Sequence, residues 1–107
     1  MRAGMIAGAK VATLVVALWT APALGETITV AMGNVAYTPE KISARIGDTI
    51  VWINNDVFAH TATARDKSWD VNILPKKTGS YSVTKAGNIE YYCRYHPNMV
   101  GQIEVRE

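Results

Sequence analysis

The chain has 107 residues, with 11 Lys and Arg against nine Asp and Glu and a formal charge of +2, which leaves room for one small domain. Arg2 and Lys10 supply that whole excess, so the remainder is neutral and lacks the basic patch that a nucleic-acid partner requires. The single cysteine excludes an internal disulfide, and there are only two histidines.

Arg2 and Lys10 flank the opening region. The apolar run Val11 to Trp19 follows, and then the small residues Ala21-Pro22-Ala23-Leu24-Gly25. This charged, apolar, small-residue order is that of a secretory signal peptide. A membrane span needs roughly 20 mostly apolar residues, and Lys10 interrupts any run of that length. Residues 1–25 are therefore expected to be a leader, cut after Ala23 or Gly25, with 26–107 as one mature domain that keeps no stable membrane association. An uncleaved anchor is the alternative.

Beyond the leader the chain reads as strands. Thr27 to Met32, Lys41 to Ile46 and Tyr81 to Thr84 alternate apolar and polar residues, the period of a half-buried strand. Thr49 to Asn54 is continuously apolar, which suits a central strand covered on both faces. Turn signals punctuate these runs: Gly33-Asn34, Thr38-Pro39, Gly47-Asp48, Asn54-Asn55-Asp56, Lys77-Thr78-Gly79 and Ala86-Gly87-Asn88. Lys76-Lys77, the one adjacent basic pair, reads as a solvated turn or as a docking point. No helical period of useful length follows the leader. Short strands at this spacing predict an all-β chain folded as an antiparallel sandwich or barrel.

Asn88 to Cys93 and Val100 to Val105 are the last two strands, and the turn between them carries Cys93-Arg94-Tyr95-His96-Pro97-Asn98-Met99. His60 lies 33 positions before Cys93 in the apolar stretch Phe58 to Ala64, which a Greek-key connection can bring alongside. An unpaired thiol in an exported protein is a liability unless it is buried or occupied. One reading makes Cys93 a small buried hydrophobe; the other makes it a ligand. One thiolate, two imidazoles and a thioether suit copper moving between Cu(I) and Cu(II). Zinc prefers a closed tetrahedron of His and Cys and has little use for Met, and a hydrolytic zinc needs an open position for water. A Cys-His nucleophile would need a third orienting residue, which this sequence does not offer.

Cys93-x2-His96-x2-Met99, the upstream His60 and the stretch KISARIGDTIVWINND resemble the cupredoxins, or type 1 blue-copper proteins, of the plastocyanin and pseudoazurin group. The shortness of the ligand loop places the resemblance nearest the amicyanin branch. It implies a Greek-key β-sandwich of about seven to eight strands. It also implies one copper ion, with His60, Cys93 and His96 as strong ligands through two Nδ1 atoms and a sulfur, and Met99 as the weak axial one. The function implied is that of a periplasmic, monomeric one-electron carrier with no catalytic residues. Its partners would be redox proteins, such as an amine dehydrogenase and a c-type cytochrome. A copper-delivery protein with the same ligands is the alternative.

The resemblance further implies that the ring edge of His96 reaches the surface through an apolar patch, here expected to include Pro97, Met32 and Phe58. Pro97 fixes its own φ and pushes His96 towards extended geometry, so the loop can hold the imidazole unaided. Ala59 and Thr61 flank the first histidine. Thr61 stands where many relatives have Asn, and its hydroxyl is expected to tie the two ligand segments together. Ala59 replaces the proline of the amicyanin branch. Strand alternation turns Tyr92 away from the face of Tyr91 and Cys93. In plastocyanin-like relatives a tyrosine there marks a second route for electrons; ordinary surface packing is the other reading.

Overall fold

The computed structural model describes residues 12–16 and 25–107. The leader expected over residues 1–25 thus falls mostly outside the described residues, which hold only 12–16 and 25 of it. The described residues form nine strands: β1 (Thr27–Gly33), β2 (Ala36–Thr38), β3 (Lys41–Arg45), β4 (Thr49–Asn54), β5 (His60–Ala64), β6 (Asp70–Ile73), β7 (Thr78–Ser82), β8 (Gly87–Tyr92) and β9 (Val100–Arg106). They form a four-stranded sheet in the order β2-β1-β4-β7 and a five-stranded sheet in the order β3-β9-β8-β5-β6. This is the expected β-sandwich, and its strand count stands slightly above seven to eight because β2 and β6 are too short to show a period.

Two pairings depart from the antiparallel expectation. β1 runs parallel to β4 and β3 parallel to β9, while the remaining pairs are antiparallel. The chain leaves the first sheet after β2, contributes β3 to the second, and returns as β4 beside β1. Such a crossover brings strands together in the same direction.

Alternation sets what each strand buries. In β1, Val30 and Met32 point inward; in β4, Ile50, Trp52 and Asn54 do so. The expectation that β4 is covered on both faces is corrected here. It is central in hydrogen bonding, between β1 and β7, but Ile53 on its other face is exposed, because a two-layer sandwich covers only the inner face of each sheet. β7 begins three residues earlier than the alternation of Tyr81 to Thr84 suggests. Gly79, a turn signal in sequence, sits inside it, where an added Cβ would lie 2.7 Å from the Ile73 side chain and 2.8 Å from that of Val71.

An aromatic group occupies the middle of the core. Trp52 donates its Nε1–H to the Tyr91 hydroxyl at 3.2 Å, and the Tyr37 and Tyr91 rings meet edge to face at 4.6 Å, a favoured geometry for aromatic pairs. Tyr91 faces Gly101 across the β8–β9 ladder. At the end of the sandwich where β5 begins and β8 ends, Asn54 joins the loop before β5 to the end of β6 by donating its side-chain amide to the carbonyls of Phe58, at 2.8 Å, and Ile73, at 3.2 Å.

Candidate metal centre

His60 is the first residue of β5, and Cys93 directly follows β8. β5 and β8 are neighbours in one sheet, with Thr63 opposite Tyr92, so the expected proximity of His60 and Cys93 follows from strand pairing. The loop after Cys93 closes on itself. His96 donates its amide to the Cys93 carbonyl at 3.2 Å, Met99 donates to the His96 carbonyl at 2.8 Å, and Cys93 donates to the Met99 carbonyl at 3.0 Å. These three bonds fix a seven-residue turn independently of any ligand.

The Cys93 sulfur lies 3.7 Å from Nδ1 of His60 and 3.7 Å from Nδ1 of His96, and the three donor atoms fall within 4.8 Å of one another. Cys93 and His60 are fully buried, Met99 is 2 % exposed and His96 is partly exposed. The two imidazole rings meet edge to face at 5.0 Å.

The tautomer of His60 follows from its other nitrogen. Nε2 lies 2.7 Å from the Asp56 carboxylate, which can only accept, so Nε2 carries a proton, and in the neutral imidazole this leaves the lone pair on Nδ1, the nitrogen that faces the sulfur. Partial burial works to raise the Asp56 carboxyl, but hydrogen bonds from His60 and from the amides of Val35 and Asn34 outweigh it and hold the group below the usual carboxylate range. A neutral thiol has one proton and cannot serve two nitrogens. A cation between the three donors satisfies all of them, and the set of two imidazoles, a thiolate and a thioether is that of a soft to intermediate ion.

Thr61 joins the segments that carry His60 and Cys93. Its amide donates to the Cys93 sulfur at 3.3 Å, and its hydroxyl oxygen accepts the Arg94 amide at 2.9 Å. Its carbonyl accepts the hydroxyl of buried Tyr37 at 2.5 Å. Ala59 is half-buried beside His60. Asp56, Thr63 and Asp70 were not singled out in the sequence. The first was visible only as part of a turn signal, and the others act across strands that the sequence does not align.

Around His96 the surface is apolar. Phe58 is 55 % exposed, its ring 5.9 Å from that of His96, and Pro97 is exposed. Val35, Tyr95, Pro97 and Asn98 line a shallow cavity of about 370 Å³ with His96 and Met99. Met32, expected in this patch, is instead fully buried in the core: it shares the inward face of β1 with Val30, two residues away. Val35, in the turn after β1, is the residue of that part of the chain that lines the cavity. Lys76 lies in the turn after β6, where its ammonium donates to the Asn55 carbonyl at 2.7 Å. Tyr92 alternates away from buried Tyr91 and Cys93, with the Arg65 guanidinium 4.5 Å from its ring centre and the Lys67 ammonium donating to its hydroxyl.

A family model for the cupredoxin-like domain matches residues 6–105. The chain belongs to the cupredoxin family. Amicyanin of Paracoccus denitrificans is 30% identical to this cupredoxin over 84 residues, 73% of this chain and 64% of that protein, so the match spans less than two thirds of that relative. Plastocyanin of Nostoc punctiforme is 29% identical over 113 residues, covering 84% of this chain and 81% of the relative. Among solved structures, the reduced Cu(I) form of an amicyanin variant superposes with a TM-score of 0.66 at 26% identity, over 75% of this chain and 82% of that one. A Cu-containing nitrite reductase from Thermus scotoductus gives a TM-score of 0.68 at 26% identity, over 76% of this chain but 22% of the reductase. One copper ion, Cu(I) or Cu(II), fits the site formed by His60, Cys93, His96 and Met99 in this cupredoxin.

Proposed function

We propose that this cupredoxin is an exported, periplasmic one-electron carrier that passes electrons between redox proteins, with residues 1–25 as its cleaved leader and 26–107 as the working domain. His60, Cys93, His96 and Met99 would hold the copper ion. When bound, the ion supplies a Cu(I)/Cu(II) couple. The protein's part is to hold the donors still and to exclude water from all but one edge of the site. The self-closed loop and the Thr61 bridge do the first, since donors fixed in advance need little rearrangement between charge states.

The observation that carries this reading is the asymmetry of the two imidazoles. His60 is sealed in the core and bonded to Asp56, whereas His96 reaches an apolar surface framed by Phe58 and Pro97. An apolar patch around a partly exposed ligand suits brief contact with another protein. The homologies to amicyanin and plastocyanin support a carrier rather than an enzyme.

Stopped-flow mixing of the ascorbate-reduced, copper-loaded protein with an oxidised c-type cytochrome tests the proposal. Reduction of the cytochrome with copper retained on the protein is the expected result. Transfer of copper to a competing chelator ahead of any electron transfer would favour copper delivery instead.

A further inference from the structure

Behind the Cys93 sulfur runs a chain of hydrogen bonds that the site does not need for ligand supply. Thr61 and Thr63 are buried, and their hydroxyl oxygens lie 2.9 Å apart. Thr63 in turn lies 2.5 Å from the Asp70 carboxylate, which the β5–β6 register places directly across from it. The Arg94 guanidinium grips both Asp70 oxygens, Nε to Oδ1 at 3.0 Å and Nη2 to Oδ2 at 3.2 Å, and the Arg94 amide returns to Thr61.

Donor and acceptor roles fix the direction of this ring. The carboxylate only accepts, so the Thr63 hydroxyl donates to it; the Thr63 oxygen then accepts from the Thr61 hydroxyl, whose oxygen accepts the Arg94 amide. Each buried hydroxyl has its partners, and no proton placement other than this one satisfies every member. The ring thus clamps Arg94, the residue after Cys93, by its amide to β5, whose Thr61 amide faces the sulfur, and by its guanidinium to β6.

We infer that Asp70 is a positioning residue for the Cys93 sulfur, acting through Thr63, Thr61 and Arg94 to hold the Thr61 N–H on the sulfur and the ligand loop against β5. The inference rests on reading Cys93 as a copper ligand. Asp70 sits at the surface, with its side chain 46 % exposed, and touches none of the donors, so its hydrogen bonds reach the sulfur only through the ring. Hydrogen bonding around the cysteine sulfur tunes the potential of such a site. A weaker N–H···S bond leaves more electron density on the sulfur and disfavours the reduced ion.

The test compares Thr63→Val, Thr63→Ser, Asp70→Asn and Arg94→Gln with the unsubstituted protein. Amide hydrogen exchange is measured without metal; the visible spectrum and midpoint potential are measured with copper. In Thr63→Val the Arg94 amide should exchange about tenfold faster, the change expected for one lost buried hydrogen bond. The copper-loaded form should show a lower midpoint potential and an altered thiolate band. Thr63→Ser should restore both readouts. Asp70→Asn combined with Thr63→Val should do little more than either alone, because the two act in series. Arg94→Gln, a surface change, should move the potential in the same direction and keeps the test open should a core variant not fold. Potential and spectrum unmoved by Thr63→Val and by Arg94→Gln would overturn the inference and leave the copper reading standing. A colourless unsubstituted protein would overturn both.

Discussion

Asp56 lies one helical-turn distance in sequence before His60, and its carboxylate meets the His60 Nε2 at 2.7 Å while also capping the amides of Asn34 and Val35. One acidic side chain therefore orients the buried imidazole and anchors the β1–β2 turn beside it. Partners of this kind fix the tautomer of a ligating histidine, and their loss typically costs about 10–100-fold in metal affinity. Asp56→Ala should weaken Cu(II) binding by that order, measured by competition with a chelator of known affinity. Unchanged affinity would mean that the sandwich holds the ring without help.

Phe58 shields one side of His96 without touching the donor atoms' hydrogen bonds. Phe58→Asp places a charge in the apolar patch and should slow electron exchange between copies of the protein, read from the broadening of NMR lines in mixtures of oxidised and reduced forms. The visible spectrum should stay the same, since the change lies outside the donor set. Equal exchange rates in the two proteins would move the electron path away from this surface.

Gly101 is where the core tolerates no side chain. A Cβ there would lie 2.3 Å from the Tyr91 ring, and Tyr91 cannot give way while Trp52 and Tyr37 hold it. Gly101→Ala should cost about 1–3 kcal/mol or more, as overpacking of a filled core does, seen as a lower urea midpoint. Loss of stability there should also displace β8, which delivers Cys93.

Asp48 sets part of the acid limit. Its carboxylate accepts the Arg45 amide at 2.8 Å and the Glu26 amide at 2.9 Å, and these bonds hold its pKa below the usual range. A lowered folded pKa contributes stability that is fully present above the unfolded value, about 3.9, and is lost as pH falls through the folded value. Between pH 5 and pH 2, on the order of that window, the melting temperature of the unsubstituted protein should fall more steeply than that of Asp48→Asn. Parallel curves would remove Asp48 from the acid response.

Much of the site was legible in the sequence because it is local. Cys93, His96 and Met99 share one short turn, and Pro97 marks it. His60 was legible only through its coincidence with the Cys-x2-His-x2-Met loop, and the β5–β8 pairing is what brings it to Cys93. What the sequence hid is what depends on register. Thr63 and Asp70 meet only because β5 and β6 pair at that position, and Met32 was misplaced because its inward direction in β1 is set by the sheet beneath it. β2 and β6, at three and four residues, are too short to carry a period, and β4 looked doubly covered because its outer face keeps apolar residues that the sandwich leaves partly open.

The most direct test of the copper site is a visible absorption titration of the purified domain with Cu(II), followed by ascorbate, alongside Cys93→Ser. An intense blue band that saturates at one equivalent, bleaches on reduction and returns on oxidation, and is lost in Cys93→Ser, is the expected result, since the colour requires a copper–thiolate bond. A pale sample, or a Cys93→Ser variant that remains strongly blue, would contradict the ligand set of His60, Cys93, His96 and Met99.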